Sequence, residues 1–435
     1  MLPRRKLIVV FFVILIGLFA LSYHPAHSSI NATLTFTVNS YEDLPDYAIN
    51  GVCSAGQISG GPCTLRAAIT EAKGNVPFEP VIVRIPPGTY TLTIPPDPNN
   101  VEEYRHGDLD ITPKYPPSSP ANPEHWITIE PTVAGGEVII QTAPDFNDRI
   151  LEIGNANVNI EGIVFSGAHL EMSSSQLHGG AAIINRGTLE LVRTKFVNNT
   201  VSCKFGEDCT SRVTGGAIEN LGKLSIVDSS FIQNSADRGS AIFTNGPYVN
   251  ISYSSFLQNS TDTICNYSSV SIINSTLSGG ELGIFNYGEL TLRSCTMANF
   301  TQTIRNNTSK TVYVKDSIFS TQGQNNFVGN QGVWNSGGYN IFSDRSWSGN
   351  LAFGDLFNTD PKLGILGNYG GPTLTYPLQQ GSPAINHRPE ICWGILIPIF
   401  EDQRHFLRND EECDTGAFEH TGVFYEPLFL PAIFR

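Results

Sequence analysis

The sequence is poor in charge and in methionine, and it shows little helical periodicity. Only 15% of its residues are charged and three are methionine, whereas Gly and Pro number 41 and 27. Many turn residues with sparse charge are typical of an all-β protein. Acids outnumber bases, so the formal charge is −14. We therefore expect neither nucleic acid nor an anionic membrane surface as a partner.

Long apolar runs are missing except at the N-terminus. Three basic residues at positions 4–6 precede an apolar run over 7–21, and small residues end at Ser28. This pattern predicts a signal peptide over residues 1–28. An uncleaved anchor is the alternative, but a helix over the run spans only about 22 Å, short of the ~30 Å hydrocarbon core. The mature chain is thus expected to lack a transmembrane span and to be secreted or held at the cell surface.

A short alternating pattern repeats through the middle of the chain. Each copy has two aliphatic residues two positions apart, and a large apolar residue follows the second of them by five positions. The large residues are Phe165, Phe196, Phe231, Phe256, Leu277, Met297 and Phe319. Their spacing of 20 to 35 residues and the β-branched alternation predict a solenoid of short strands.

We interpret residues 81–350 as a right-handed parallel β-helix, so the fold class is all-β. A β-sandwich is the alternative, but a sandwich does not require one residue type at one phase in every copy. An Asn recurs near the start of each copy and is expected to form a ladder of stacked amides. The predicted ladder residues are Asn185, Asn220, Asn245, Asn266, Asn286 and Asn306.

Eight cysteines in an exported chain predict disulfides. The nearest neighbours in sequence are Cys53 and Cys63, Cys203 and Cys209, and Cys392 and Cys413. Cys265 and Cys295 remain. The repeat places Cys295 on the inward side and Cys265 on the outward side, so we expect two separate thiols. A metal site is the alternative, but neither a Cys-x-x-Cys motif nor a neighbouring His supports it.

One capping helix is predicted directly after Cys63. Thr64 can cap it, apolar residues recur on one face, and Gly74-Asn75 ends it. Such a helix would cover the open end of the solenoid core. Cys63-Thr-Leu-Arg-Ala-Ala-Ile69 resembles the CSLREA domain of secreted bacterial proteins, and the resemblance implies a capping region over residues 29–80. Ala67 replaces the Glu of that motif, which removes one candidate partner of Arg66.

Two further motifs recur within the solenoid. Gly-Gly-Ala-Ile stands at 215–218, and Phe-x-x-Asn stands at 196–199, 231–234 and 256–259. These repeats resemble those of chlamydial polymorphic outer membrane proteins, which are surface adhesins, and the resemblance implies a role in binding. Physically, glycines make the tight corners, Ile and Phe fill the core, and Asn satisfies turn backbone.

The composition changes near residue 360. Gly-Gly-Pro at 370–372, Ser-Pro at 382–383 and Cys413-Asp-Thr-Gly-Ala-Phe-Glu419 follow in order. They resemble the choice-of-anchor Q domain of secreted bacterial proteins, which implies a C-terminal region over residues 351–422. We expect this region to fold across the last coil as a cap. The polar residues expected to hold it as ion pairs are Asp402, Arg404, Asp414 and Glu419.

Three irregular segments interrupt or follow the regular coils. The loops His169–His178 and Cys203–Thr214 could carry recognition, although tolerated insertions are the alternative. The apolar, Pro-broken tail over residues 423–435 is either a sorting signal or an extra edge strand. The sequence leaves both choices open.

Enzymatic function was considered because the predicted architecture resembles that of the pectin-lyase-like family, which hosts polysaccharide lyases and glycoside hydrolases. Catalytic acids would stand at one phase of adjacent coils. The outward turn positions contain no adjacent acidic pair; they are Arg193, Asp228, Tyr253, Asn274, Ser294 and Asp316. Asp108 and Asp110, near His106, are weak candidates for a calcium or acid–base site, and solvent-facing turn acids are the alternative interpretation.

These observations favour a secreted or cell-surface β-helix that acts by binding, either adhesin-like or as a structural component of the envelope. A carbohydrate or another cell-surface ligand is the expected partner. We assign no catalytic residue and no cofactor, and we expect a monomer. The alternative is a polysaccharide lyase or glycoside hydrolase of pectin-lyase-like fold.

Overall fold

The computed structural model describes residues 33–74, 80–97, 105–112, 126–209, 212–321, 325–329, 332–388, 401–408 and 412–424. The predicted signal peptide, Cys392 and most of the C-terminal tail lie outside this part. The described chain contains one helix, Leu65–Gly74, and three long sheets in which every strand pair is parallel. Within it, no helix is long and apolar enough to cross a membrane.

Each coil from residue 151 onward gives one strand to the second sheet, then one to the first and one to the third. The first sheet has eleven strands: Leu34–Thr37, Val81–Ile85, Trp126–Pro131, Asn157–Glu161, Thr188–Val192, Lys223–Val227, Val249–Ser252, Ser269–Ile273, Glu289–Arg293, Thr311–Lys315 and Val333–Ser336. The second has nine: Leu109–Ile111, Leu151–Ile153, Ile183–Asn185, Ile218–Asn220, Ile242–Thr244, Asp262–Asn266, Leu282–Asn286, Gln302–Asn306 and Phe327–Val328. The third has ten: Gly88–Leu92, Val138–Thr142, Ile163–Ser166, Lys195–Val197, Ser230–Ile232, Ser255–Leu257, Thr276–Ser278, Thr296–Phe300, Ile318–Thr321 and Ile341–Phe342.

This arrangement is the right-handed parallel β-helix that the repeat predicts, and the large apolar residues of the repeat fill its core. Phe165, Phe196, Phe231 and Phe256 stack on successive coils with ring centroids 5.1, 4.7 and 4.6 Å apart. All four are at most 1% exposed. Burying such rings is the main source of stability in a core of this kind.

Amide ladders run along two corners of the solenoid. At the corner after the second sheet, the Nδ2 of Asn266 donates to Asn286 at 2.7 Å, and the Nδ2 of Asn286 donates to Asn306 at 2.9 Å. A second ladder, at the end of the Phe-x-x-Asn motif, joins Asn199 to Asn234 and Asn234 to Asn259, each at 3.0 Å. Each of these bonds satisfies the buried side-chain amide of one Asn with the side-chain oxygen of the Asn on the next coil.

The predicted ladder is wrong at one position. Asn220 donates to the hydroxyl of Thr244 at 3.0 Å, and Thr244 is in register with Asn220 and Asn266. Asn245 is exposed. The ladder position lies two residues after the inward Ile on every coil, because the pleat fixes that spacing. On this coil two residues rather than one separate the Ile from the Asn, so Thr244 occupies the ladder position.

The helix closes the N-terminal end of the core. The Thr64 hydroxyl accepts a hydrogen bond from the Ala67 backbone at 3.1 Å, as an N-cap does. Residues 65–72 of the helix are all buried. Glu71 accepts from the backbone of Asn50 and Gly51 at 2.9 and 2.8 Å, which fixes the segment before the helix.

The predicted disulfides Cys53–Cys63 and Cys203–Cys209 are both present. Cys413 is also disulfide-bonded, and its predicted partner lies outside the described residues. Cys265 and Cys295 are free and buried, and Cys265 is in register with Phe243 and Phe285 on the outward side.

The C-terminal region departs from the expected position. It does not simply cross the last coil but extends along the outer face of the third sheet, where Thr276 donates to Gln403 at 2.6 Å and Ala417 donates to Thr296 at 3.0 Å. Aromatic rings instead fill the core of the last coils, with centroids 5.0 to 5.6 Å apart in Phe319, Phe327, Phe342, Trp334 and Trp347. The start of the tail, Val423–Phe424, pairs antiparallel with Phe406–Leu407.

Candidate functional site

The third sheet is unavailable to a ligand over much of its length because the C-terminal region covers it. The outward residues Ser230, Ser255, Thr276, Thr296, Ile318 and Ile341 are in register on successive coils. All six are buried. Ile318 and Ile341 form a small apolar cluster with Leu378 and Phe418 of the C-terminal region.

The outward turn positions of the sequence analysis serve mainly to hold this region. Asp228 contacts the Nε2 of His405 at 2.7 Å, Asn274 donates to the Glu401 carbonyl at 2.9 Å, and Asp316 pairs with Arg388 at 3.2 Å. The six predicted positions all have positive φ, between 46° and 54°. They are therefore the residues at which the chain turns sharply between the first and third sheets.

The four polar residues assigned to the C-terminal region lie together in it. Arg404 pairs with Asp402 at 2.6 Å and donates to the Glu419 carbonyl at 2.7 Å. Glu419 pairs with Arg408 at 2.9 Å, a partner that the sequence analysis missed. Asp414 accepts from the backbone of Asn386 at 2.8 Å. Because the charges of these pairs are buried and paired within the region, their geometry fits a structural role.

The second sheet carries the most varied outward column. The residues in register along it are Asp110, Glu152, Ile184, Glu219, Phe243, Cys265, Phe285, Arg305 and Val328. Acids stand at its N-terminal end, and aromatic and basic groups stand further along. Two clefts open on this column.

The first, which we call the acidic cleft, is lined by His106, Asp108, Asp110, Asp148, Arg149 and Glu152 and has a volume of about 420 Å³. Carboxylate oxygens of Asp108, Asp110 and Glu152 all lie within 4.8 Å of one another. Asp110 and Glu152 are direct neighbours on adjacent coils. Carboxylate oxygens so placed are the ligands that Ca²⁺ prefers, so these residues could hold a cation.

The capping helix positions the acidic cleft. Arg66, fully buried, donates to the carbonyls of Gly107 and Asp108 at 2.8 and 3.1 Å and pairs with Asp43 at 2.7 Å. Asp43 is thus the carboxylate partner of Arg66. The same guanidinium therefore joins the N-terminal region to the loop that presents Asp108.

Charges within the acidic cleft are strongly coupled. Burial, followed by the neighbouring Asp148 and Asp110, raises the pKa of Asp108 well above its usual value. Burial also raises the pKa of Asp148. Arg149 lies 3.6 Å from Asp108 and 3.2 Å from Glu152. Burial by itself would lower the pKa of Arg149, but the surrounding carboxylates outweigh it and raise that pKa. One cation therefore already offsets part of the negative charge.

The second, which we call the mixed cleft, lies further along the sheet and has a volume of about 520 Å³. Its charged and amide residues are Asp237, Arg238, Asp262, Glu281, Gln302, Arg305 and Asn325. The Arg238 guanidinium lies 4.3 Å from the centre of the Phe285 ring, and that of Arg305 lies 5.9 Å from it. A flat apolar ring is therefore flanked by two cations.

Polar groups in the mixed cleft are fixed by neighbours. Asp262 accepts from the backbone of Gly239 at 2.9 Å, and burial raises its pKa. Arg305 donates to the Oε1 of Gln302 from Nε at 3.2 Å and from Nη2 at 2.8 Å. The charge of Arg238 acts in the opposite direction and offsets part of this rise in the pKa of Asp262. The groups are thus held in place before any ligand arrives.

Aromatic side chains also lie at the corner that leads from the second sheet to the first, outside the residues that line the mixed cleft. Tyr267 and Tyr287 stack with centroids 4.4 Å apart and planes 8° apart, and Tyr287 meets Phe285 edge-on at 4.7 Å. Tyr267 is 46% exposed, yet the partial burial of its side chain raises the pKa of its hydroxyl to about 12. Aromatic faces and edges beside planar polar groups are typical of ligand sites on protein surfaces.

The predicted recognition loops pair with each other. His169–Met172 and Thr200–Cys203 form a separate two-stranded parallel sheet, and the Ser174 backbone donates to Glu207 at 2.5 Å. Phe205, at the tip of the disulfide loop, is fully exposed. The two insertions therefore make one lateral projection.

Sequence reasoning located Asp108 and Asp110 but missed Glu152 and the whole mixed cleft. The acidic pair on adjacent coils could not be aligned because a long Pro-, Asn- and Ser-rich stretch of sequence between Pro95 and Pro123 hides the register of the early coils. For the mixed cleft, a signal existed. Arg238, Phe285 and Arg305 stand at defined phases of the repeat, so an outward-column alignment of the second sheet would have placed two of them together.

Comparison with known proteins gives little beyond the fold. No family model matches the chain, and no curated protein matches it. Among solved structures it is similar to one described as "Crystal structure of pectate lyase Pel9A", at 12% identity and a TM-score of 0.45. That similarity covers 89% of this chain and 97% of the other. The fold assignment above rests on the three parallel sheets themselves.

Proposed function

We propose that this protein is an extracellular β-helix that acts by binding glycans at its second sheet, in an adhesin-like role. The single observation that carries the proposal is the mixed cleft, where Arg238, Gln302 and Arg305 stand beside the apolar side chains of Leu282 and Val328. Planar hydrogen-bonding groups around an apolar surface suit a sugar, whose hydroxyls lie around an apolar CH face.

The surrounding architecture supports this proposal. The third sheet is covered by the C-terminal region over much of its length, and the middle outward column of the first sheet consists mostly of short polar side chains such as Ser225, Asn250 and Ser271. At the edge of the first sheet, the charged side chains of Arg84 and Arg193 are already paired with Glu130 and Glu161. The second sheet combines aromatic, acidic and basic groups on one rigid surface. A solenoid face of this kind offers neighbouring subsites about 4.8 Å apart along its axis.

Export is part of the proposal and has its own support. The two described disulfides are typical of an oxidising compartment, and the predicted signal peptide agrees with them. Attachment at the cell surface through the C-terminal region or tail remains a hypothesis based on the choice-of-anchor Q resemblance.

A polysaccharide lyase or glycoside hydrolase is the second candidate function. The acidic cleft favours it, because acids on adjacent coils there surround Arg149. Carboxylates and one guanidinium are thus present in one place. The coupling of Asp108 to its acidic neighbours also fits an acid–base role. We rank it second because Arg149 is held by three carboxylates, which keep it protonated and unsuited to accept a proton.

The test is to purify residues 29–435 with disulfides intact and to measure binding to a panel of soluble polysaccharides. Arg238→Gln and Arg305→Gln are expected to weaken binding, whereas Lys223→Gln, an exposed residue of the first sheet, is the matched control. Ultraviolet absorbance of unsaturated products and reducing-end assays report lyase and hydrolase activity on the same panel. Turnover that Asp110→Asn abolishes would favour the enzyme instead.

A further inference from the structure

We infer that the mixed cleft takes a neutral, hydroxyl-rich sugar unit, with Gln302 as a hydrogen-bond donor to it. This inference rests on the proposed glycan-binding function and specifies the class of glycan. It comes from the balance of donors, acceptors and charges in the cleft.

The first step concerns Gln302. Gln302 is 7% exposed, and its side-chain Nε2 makes no hydrogen bond among the described residues. The amide cannot be turned around, because a guanidinium has only donors and the two bonds from Arg305 require the amide oxygen. The Nε2 must therefore face away from Arg305. A buried donor without an acceptor is costly, so it points to a ligand oxygen that completes the site.

The second step concerns charge. Three carboxylates, of Asp237, Asp262 and Glu281, share the cleft with the guanidinium groups of Arg238 and Arg305. A uronate would bring a carboxylate toward three others, and a metal ion would meet two fixed cations. Neither ionic class is complementary to this set. Hydroxyl groups are, because each can donate to a carboxylate and accept from a guanidinium or an amide.

The third step concerns the apolar floor. Leu282 and Val328 are the apolar side chains that line the cleft, and Leu282 packs in an apolar cluster with Phe285 and Cys265. The Arg238 guanidinium lies over the Phe285 ring and covers it, so Leu282 and Val328 form the apolar floor. Burial raises the pKa of the Cys265 thiol, which keeps it protonated and uncharged. An apolar floor below a ring of planar polar groups matches a sugar ring that lies flat.

The experiment compares neutral polysaccharides, such as a β-glucan, a mannan and a xylan, with polygalacturonate and alginate. Binding of each to residues 29–435 is measured by titration calorimetry. We expect a neutral polysaccharide to bind. Gln302→Glu removes the amide donor at constant size and should weaken this binding by about tenfold, the value of one hydrogen bond. Gln233→Glu, at an exposed position on the third sheet, should leave it unchanged.

A second variant protects the test against misfolding. Glu281→Gln changes an exposed cleft residue and should weaken binding several-fold while thermal unfolding stays as in the wild type. If acidic polysaccharides alone bind, or if Gln302→Glu and Glu281→Gln both bind neutral glycans normally, the inference is overturned while glycan binding stands. If no polysaccharide of either class binds the wild type, the proposed function itself fails and the inference fails with it.

Discussion

His405 joins the C-terminal region to the solenoid, and its charge should make that junction depend on pH. Its Nε2 lies 2.7 Å from Asp228 of the solenoid, and its Nδ1 lies 3.0 Å from Glu401. The ring also stacks on Tyr253 at 4.4 Å. The hydrogen bonds that the imidazole donates to Asp228 and then to Glu401 outweigh burial and raise the pKa of His405 to about 9.

The magnitude follows from the shift. A rise from 6.5 to about 9 corresponds to about 3.4 kcal/mol at 1.36 kcal/mol per unit. The His405 side chain is 32% exposed, so solvent screening reduces the expected contribution to roughly 1.5–2 kcal/mol. Because the folded pKa is raised, this stabilisation is fully present below pH 6.5 and is lost as the pH rises through about 9.

The assay is chemical denaturation between pH 6 and 9.5, with hydrogen exchange of residues 401–408 as a local measure. The wild type should lose roughly 1.5–2 kcal/mol of unfolding free energy across this range relative to His405→Gln. Asp228→Asn removes the largest cause of the shift and should move the loss to lower pH. The double variant should lose no more than His405→Gln alone, since both remove one interaction. Parallel pH profiles for wild type and His405→Gln would refute the reasoning.

Three further predictions address the caps, the ladder and the acidic cleft. Arg66→Gln leaves Asp43 buried without its cation and should lower the free energy of unfolding by about 3–5 kcal/mol in urea denaturation, and a wild-type midpoint would refute it. Asn286→Ala breaks two ladder bonds and should cost about 1–3 kcal/mol, whereas the exposed Asn245→Ala should change stability by less than about 0.5 kcal/mol; equal losses would contradict the ladder assignment. Because the folded pKa of Asp108 is raised, its carboxyl favours folding less as the pH rises above its ordinary value, so Asp108→Asn should flatten the thermal stability profile between pH 4 and 7, and an unchanged profile would count against the coupling.

Local patterning predicted the solenoid because strand alternation and the coil period depend on residues within one or two coils. Phe196, Phe231 and Phe256 could be aligned from sequence since the pleat and the turn fix their phase. The same logic failed at Asn245, where one extra residue between the Ile and the Asn moved Thr244 into the ladder. A residue type at a corner is thus less informative than its distance from the inward Ile.

Contacts between distant parts of the chain could not be predicted in this way. His405 meets Asp228 across 177 residues, and Gln403 meets Thr276 across 127. Nothing local in either sequence marks its partner. The sequence therefore indicated only that Asp228 stands at an outward turn position, although its neighbours in space come from the C-terminal region. The same limit hid Glu152, because its pairing with Asp110 joins strands whose register no repeat in the surrounding sequence reveals.

The position of the C-terminal region bears directly on function. A parallel β-helix has three outer faces. The inward residues of each sheet, such as Leu189 and Leu191 of the first, pack in the core and cannot contact a ligand. Here the C-terminal region occupies one face through buried hydrogen bonds and ion pairs, which leaves the first and second sheets. The middle outward column of the first sheet is mostly short and polar, whereas that of the second changes from carboxylates at Asp110 and Glu152 to Phe285 and Arg305 within a few coils. Recognition requires chemically distinct groups at fixed spacing, so we propose that selectivity for a glycan would reside on the second sheet.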